Sequence, residues 1–120
     1  MRILFIDDEP IRALPLINDG HEVFIAHGQE QIEVMLTQKY DLICLDHDMP
    51  LMNGMDVVNN LFPNFPNRRT VVHSTNAPAS GRMVNALKEL GVEATYIPYP
   101  TKDWKQKVMD WVNTVALNGK

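Results

Sequence analysis

Short, uninterrupted apolar runs alternate along the chain with longer stretches in which apolar residues recur at helical spacing. Five such runs predict β-strands, at residues 3–6, 23–26, 42–45, 71–72 and 94–97. They lack the apolar–polar alternation of a strand that has one face in water. Continuous apolar character is instead expected of parallel strands that helices cover on both faces. The runs therefore predict a five-stranded parallel sheet.

Helical spacing predicts four regular helices between and after these runs. The first two begin after Gly28 and after Gly54. Ser80 is the predicted N-cap of the next helix, and Gly91 marks its predicted end. Thr101 is the predicted N-cap of the last helix, which has the clearest apolar stripe, at residues 104, 108, 111, 112 and 115.

The segment after the first run predicts a shorter helix. Pro10 suits a first helical turn, but Pro15 follows soon after and should shorten or kink the helix. A cluster of proline and asparagine at residues 63–67 breaks the chain before the fourth run. With right-handed crossovers, this alternation of strands and helices winds into a sheet with helices on both faces. Ligands of such sheets bind at the carboxyl ends of the strands, near the point where strand order reverses.

Length and composition narrow the classes of function. A chain of 120 residues fits one domain spanning residues 1–120. The net charge of −4 argues against general DNA binding, because there is no basic excess to neutralise phosphates. Cys44 is the only cysteine, so no intrachain disulfide can form, and its apolar surroundings predict a buried thiol. No apolar run is long enough to span a membrane, and a cytoplasmic location is expected.

Acidic side chains follow two of the predicted strands directly. The first run leads into Asp7-Asp8-Glu9, and the third leads into Asp46-His47-Asp48. One interpretation is that these acids only cap the following helices. Carboxylates that converge at one sheet edge repel each other unless a cation neutralises them. Mg²⁺ is the expected cation, since it prefers oxygen ligands and leaves positions open for a phosphate oxygen.

The strand that ends in Asp7-Asp8, together with the motif Leu45-Asp46-x-x-Met49-Pro50-x-Met52-x-Gly54, resembles the receiver domain of two-component response regulators. The resemblance implies a flavodoxin-like, doubly wound five-stranded parallel sheet. It implies that Asp46 is the phospho-acceptor and that Asp7 and Asp8 are the metal-binding acids. It also implies that the backbone carbonyl of Asp48 is a further metal ligand.

Two positions depart from the receiver pattern. Receivers usually carry a lysine before a proline after the fifth strand, and here Tyr99 stands in its place. Lys102 lies nearby and would have to reach back to contact a phosphate. The fourth strand of a receiver ends in a hydroxyl residue. Either Ser74 or Thr75 would take that role here, and spacing does not decide between them.

The segments Leu45-Asp46-His47-Asp48, His73-Ser74-x-Asn76 and Gly81-Arg82 are similar to a divergent group, the cyclic-phosphate-processing receiver domains. That similarity implies hydrolysis of a ribose-type cyclic phosphate. Histidine suits such chemistry because it gives and takes protons near neutral pH.

Each candidate residue would then have a distinct role. Asp46, or a metal-held water, would attack phosphorus, and His47 or His73 would protonate the leaving oxygen. Asn76 and Arg82 would bind phosphate oxygens.

Three functions from different classes follow. The first is a phosphoesterase acting on a phosphate-bearing small molecule or an RNA end. The second is a response regulator phosphorylated on Asp46 by a histidine kinase. The third is a receiver-shaped binding module without turnover. Loss of the lysine and gain of His73 and Asn76 favour the first, whereas retention of the Met49–Gly54 motif favours the second.

Overall fold

A computed structural model describes residues 1–65 and 69–118, and side-chain burial through residue 115. The last part of the breaker cluster predicted at residues 63–67 lies outside the described residues. Its first part belongs to a 3₁₀ helix, Phe62–Asn64.

Five parallel strands form one sheet in the order β2-β1-β3-β4-β5, which confirms the predicted doubly wound architecture. The strands are β1 (Arg2–Ile6), β2 (Glu22–Ala26), β3 (Leu42–Leu45), β4 (Arg69–Val72) and β5 (Glu93–Tyr96). The helices are α1 (Leu14–Asn18), α2 (Gln29–Leu36), α3 (Gly54–Asn60), α4 (Ala77–Glu89) and α5 (Trp104–Asn118). None of the helices in the described ranges is both long enough and apolar enough to cross a bilayer.

Alternate residues of the central strands pack into two separate cores, one on each face of the sheet. Ile6, Leu45 and Val72 point to the face covered by α2, α3 and α4. Phe5 and Cys44 point to the other face, where they pack with residues of α1 and α5. The thiol of Cys44 is fully buried, as predicted, and burial raises its pKa far above the ordinary range.

The first helical segment is short and irregular, as the two prolines predict. A 3₁₀ helix, Pro10–Ala13, leads into α1, which has only five residues. Pro15 lies in the first turn of α1, where a backbone N–H would have no partner within the helix.

Both predicted N-caps on the second half of the chain were wrong. Helix α4 begins one turn before Ser80, because the side chain of Asn76 accepts a hydrogen bond from the backbone N–H of Ala79. Ser80 is instead a fully buried residue within that helix. Helix α5 begins at Trp104, three residues after Thr101. The predicted end at Gly91 is confirmed, since Gly91 has a φ of +81° just after the helix.

Candidate functional site

Asp7, Asp46 and His73 are each the first residue after a strand in the centre of the sheet. The register aligns the last residues of these strands, Ile6 with Leu45 and Leu45 with Val72. The backbone N–H of Asp46 donates to the Ile6 carbonyl, and that of His73 donates to the Leu45 carbonyl. The sheet ladder therefore continues through all three residues and fixes them in one row.

This row stands at the point where strand order reverses. The chain crosses from β1 to β2 on one side and from β2 back to β3 on the other side of β1. Because ligands of open parallel sheets bind at such a crevice, the row lies where the fold favours a site. One carboxylate oxygen from each aspartate and one imidazole nitrogen lie within 4.8 Å of one another.

All three side chains are buried. Asp7 is 0% exposed, His73 is 1% exposed and Asp46 is 2% exposed. Two carboxylates are rarely buried together without compensation, because removing a charge from water is costly. The neighbours of the pair therefore decide whether this arrangement is tolerated.

His73 compensates Asp7. Its Nε2 lies 2.8 Å from Asp7 Oδ2, and its ring stacks on Phe5 with centroids 4.7 Å apart. Trp104 meets the same ring edge-on at 6.1 Å. The Nδ1 atom of His73 has no hydrogen-bond partner among the described residues, although it is buried. The imidazole is thus fixed by packing and by one bond to Asp7.

The pKa of Asp7 is lowered although burial alone would raise it. Burial is the largest single cause. Hydrogen bonds from His73 and from the backbone N–H of Glu9, at 2.8 Å, act with the positive charges of His73 and Arg12, and together they outweigh burial. Asp7 is therefore held as a carboxylate.

The pKa of Asp46 is raised. Burial is the largest cause, and the negative charge of Asp7 adds to it. His73, the backbone N–H of His47 and Arg12 act in the opposite direction without cancelling these two effects. Asp46 is the more basic of the two acids, and it is the one that a cation would stabilise most.

Arg12 is a member of the site that the sequence did not reveal. Its Nη1 lies 3.4 Å from Asp7 Oδ2 and 3.6 Å from Asp46 Oδ2, while Nη2 lies 2.7 Å from Glu9 Oε2. Pro10 offered a signal, since a helical turn that starts there places Arg12 close to the end of β1. Its contacts with both aspartates required the three-dimensional structure.

Tyr99 lies beside this arginine. The Arg12 guanidinium carbon is 5.9 Å from the centre of the Tyr99 ring, within the range of a cation–π contact. The backbone N–H of Tyr99 donates to the His73 carbonyl at 2.9 Å. An arginine from the 3₁₀ helix and the ring of Tyr99 thus share the region beside the carboxylates.

A second polar layer lies farther out and is partly exposed. His47 Nδ1 is 2.8 Å from Asp48 Oδ1, and Asn76 Nδ2 donates to the same oxygen at 3.3 Å. The pKa of Asp48 is lowered, chiefly by its hydrogen bond with His47. Ser74 is buried, and its Oγ accepts from the backbone N–H of Asn76. This layer joins the end of β3 to the start of α4.

The remaining predicted residues lie outside these two clusters. Asp8 is partly exposed and is not among the three residues whose ligand atoms converge. Thr75, Arg82 and Lys102 are exposed. In the described parts of the chain, neither Arg82 nor Lys102 has an ion-pair partner, so the pocket carboxylates do not hold them in place.

Gly54 lets two segments approach closely beneath the site. A Cβ on this residue would lie 2.3 Å from the backbone oxygen of Asp46, 2.4 Å from Met83 Cε and 2.9 Å from His47 Cα. Any other residue would therefore displace the loop that carries Asp46 and His47. The close approach of these atoms therefore explains why the motif has a glycine at this position.

The donors fit a divalent cation. The carboxylates of Asp7 and Asp46 and the imidazole of His73 can each offer one ligand atom. The raised pKa of Asp46 and the buried, unpartnered Nδ1 of His73 both indicate a polar cluster that is incompletely compensated by the protein alone. Carboxylate oxygens suit Mg²⁺, and an imidazole nitrogen is also a ligand of Mn²⁺ and other transition metals.

Comparisons with known protein sequences found a family match and a longer relative. A family model described as "Cyclic-phosphate processing Receiver domain" matches residues 2–89. A protein-glutamate methylesterase/protein-glutamine glutaminase of Idiomarina loihiensis is 27% identical over 110 residues, covering 86% of this chain and 28% of that protein. The chain is therefore similar to one part of a longer relative.

Solved structures share the fold. A CheY-like response regulator receiver domain of Methanospirillum hungatei has a TM-score of 0.73 at 21% identity, covering 98% of this chain and 97% of that one. The response regulator TrrA of Thermotoga maritima, solved in complex with Mg²⁺ and BeF, has a TM-score of 0.67 at 24% identity. The match to TrrA covers 91% of this chain and 96% of the TrrA chain. With a family model matched over most of its length, the chain belongs to the cyclic-phosphate processing receiver domains.

Proposed function

We propose that this protein hydrolyses a cyclic or terminal phosphate of a nucleotide or an RNA end, with a divalent cation at Asp7 and Asp46. The observation that carries the proposal is the bond between His73 Nε2 and Asp7 Oδ2, 2.8 Å long, in the same buried row as Asp46. This bond helps to keep Asp7 ionised, and so able to hold the cation that the proposed hydrolysis uses. The family description points to the same chemistry.

The cation would be held by Asp7 and Asp46, with His73 beside them. When bound, it would neutralise the carboxylates and lower the pKa of a bound water. Mg²⁺ is the first choice because oxygen donors predominate. TrrA, which shares the fold, was solved with Mg²⁺ and BeF.

The protein's own groups would divide the work of hydrolysis. Water attacks phosphorus, the bond from phosphorus to one ribose oxygen breaks, and that oxygen takes a proton. Asp46, which directly follows β3, would accept the proton of the attacking water. His47, which is partly exposed, would donate a proton to the leaving oxygen, because a ligand can reach it from solvent.

His73 would act as a positioning residue. It is buried beneath Phe5 and Trp104 and bonded to Asp7, so it does not face an incoming ligand directly. Its bond would hold Asp7 ionised and correctly oriented. Asn76 and Arg82 near the start of α4 would contact phosphate oxygens.

An assay of turnover tests this proposal. The protein would be incubated with Mg²⁺ and 2′,3′-cyclic nucleotides, and the ring-opened product would be measured. We expect turnover that is lost in Asp46→Asn and reduced in His47→Ala and His73→Ala. His21→Ala is the matched control, since His21 lies at the opposite edge of the sheet, before β2. Absence of turnover with every cyclic nucleotide and RNA end tried would contradict the proposal.

A second candidate is a response regulator that a histidine kinase phosphorylates on Asp46. Retention of the receiver motif at Met49–Gly54 favours it, and Gly54 packs closely against the Asp46 carbonyl. Incubation with acetyl phosphate and Mg²⁺ would then give an acid-labile phosphate on Asp46 that is absent from Asp46→Asn. If neither turnover nor phosphorylation were seen, the third function, a binding module, would be favoured.

A further inference from the structure

Arg12 is the basic side chain that ion-pairs with the carboxylates of the central row, among the residues that the structure describes. Its two terminal nitrogens are held very differently. Nη2 is 2.7 Å from Glu9 Oε2, a normal distance for a charge-assisted hydrogen bond. Nη1 is 3.4 Å from Asp7 and 3.6 Å from Asp46, which is longer than such bonds usually are. The guanidinium is therefore anchored at one end and loosely held at the other.

The Arg12 side chain lies between the buried carboxylates and solvent. The Arg12 side chain is 29% exposed, whereas the aspartates that it contacts are buried. The ring of Tyr99 lies on one side of the guanidinium and supports its plane. A planar guanidinium suits a phosphate, since it can offer two parallel N–H donors.

The net charge around Arg12 differs between the metal-free and the metal-bound protein. When Asp7 and Asp46 are ionised and no metal is bound, Arg12 neutralises only part of their charge, and these three groups together are negative. With Glu9, which pairs with Arg12, the three carboxylates and the arginine sum to −2, and a divalent cation brings that sum to zero. Arg12 Nη1 is then free to contact another anion, and the cation removes the repulsion that a phosphate would otherwise meet.

We propose that Arg12 partly neutralises Asp7 and Asp46 in the metal-free protein and binds the phosphate of the substrate once a divalent cation holds these carboxylates. This inference rests on the proposed phosphate site and adds a residue to it. Glu9 keeps the guanidinium close by in both situations. Arg12 would compete with the metal ion and cooperate with the phosphate, two effects of opposite sign that a merely structural arginine would not have.

Binding measurements on variants test the two effects separately. Isothermal titration calorimetry would first measure Mg²⁺ affinity, and then the affinity for inorganic phosphate in saturating Mg²⁺. For Arg12→Gln we expect Mg²⁺ to bind about threefold to tenfold more tightly, because a competing cation is gone. We expect phosphate to bind at least about tenfold more weakly, because a charge-assisted contact is lost.

Two further variants control for charge and for shape. Arg12→Lys keeps the charge and loses the fork, so Mg²⁺ affinity should stay near that of the wild type while phosphate affinity falls part of the way. Lys88→Gln removes one positive charge in the last turn of α4, at the far end of that helix from the site, and should change neither affinity. If Arg12→Gln does not fold, the Arg12 Nε–H signal of the wild-type protein replaces it. That NMR signal should move on addition of Mg²⁺ and again on addition of phosphate.

The proposal is overturned if Arg12→Gln weakens Mg²⁺ binding or leaves phosphate binding unchanged, or if the wild-type Nε–H signal ignores both ligands. These results are distinct from failure of the proposed hydrolysis. If phosphate binding depended on Arg12 but no turnover were seen, this inference would stand and the proposed hydrolysis would be contradicted. Turnover together with an unchanged phosphate affinity in Arg12→Gln would support the proposed hydrolysis and overturn this inference.

Discussion

Replacing Asp46 by asparagine should make the metal-free protein more stable, although it removes the central acid of the site. Asparagine has the shape of a protonated aspartate, and the raised pKa of Asp46 means that the folded protein favours the protonated form. The wild-type carboxylate is therefore destabilising at neutral pH, and the variant should be free of that cost.

The magnitude follows from the neighbours of the carboxylate. Repulsion from Asp7, whose oxygen lies within 4.8 Å, amounts to about 3.5 kcal/mol at an effective dielectric constant near 20. Attraction to Arg12 Nη1 at 3.6 Å is about 4–5 kcal/mol before the partial exposure of Arg12 screens it. Because screening weakens this attraction, burial and the repulsion from Asp7 together decide the sign. We expect a gain of about 1–2 kcal/mol, within the range that an incompletely compensated buried polar group costs.

The assay is urea unfolding of wild type and Asp46→Asn in EDTA between pH 3 and pH 8. A free aspartate has a pKa of about 3.9. Since the folded pKa is higher, wild-type stability should fall as pH rises from about 4 through the folded pKa, while the variant lacks this fall. The two proteins should therefore be similar near pH 3 and differ most at neutral pH. Asp110→Asn, an exposed change on α5, is the control and should leave stability nearly unchanged.

Adding Mg²⁺ should make the wild-type protein more stable than Asp46→Asn. A ligand at a hundred times its dissociation constant stabilises the folded state by about 2.7 kcal/mol, and the variant should gain much less. The reasoning would be refuted if Asp46→Asn were the less stable protein in EDTA at neutral pH, or if the difference did not depend on pH.

Three further changes test other parts of the structure. Asp7→Asn should cost about 2 kcal/mol in unfolding experiments at neutral pH, because the charged bond to His73 is lost. Since the Asp7 pKa is lowered, this difference should vanish as pH falls through that pKa. Gly54→Ala should cost about 1–3 kcal/mol and weaken Mg²⁺ binding measured by calorimetry, because its Cβ meets the Asp46 carbonyl. Asn76→Ala should lower the melting temperature by removing an N-cap worth about 1 kcal/mol.

The strands and the acids at their ends were predictable because each apolar run is short and ends at a polar residue. The runs that end before Asp7, Asp46 and His73 gave the correct edge of the sheet for all three. The sequence could not show that the ligand atoms of Asp7, Asp46 and His73 converge while Asp8 lies apart. That difference depends on strand register and side-chain direction, which a one-dimensional pattern does not contain.

Arg12 and the helix caps were harder to predict for a different reason. Arg12 lies in a 3₁₀ helix that begins at Pro10, so no regular helical period in the sequence places it beside the site. Ser80 was preferred as an N-cap, although Asn76 is as good a capping residue and precedes Pro78, which suits the first helical turn. The sequence thus contained the correct N-cap, but it also offered a second suitable residue a few positions later.

A crystal structure of the protein grown with Mn²⁺, with anomalous data to locate the ion, tests the central claim most directly. The account predicts one ion in contact with the carboxylates of both Asp7 and Asp46, and its loss in Asp46→Asn crystals grown in the same way. An ion that touches neither carboxylate, or no ion at a manganese concentration that saturates other receiver-type sites, would contradict the account.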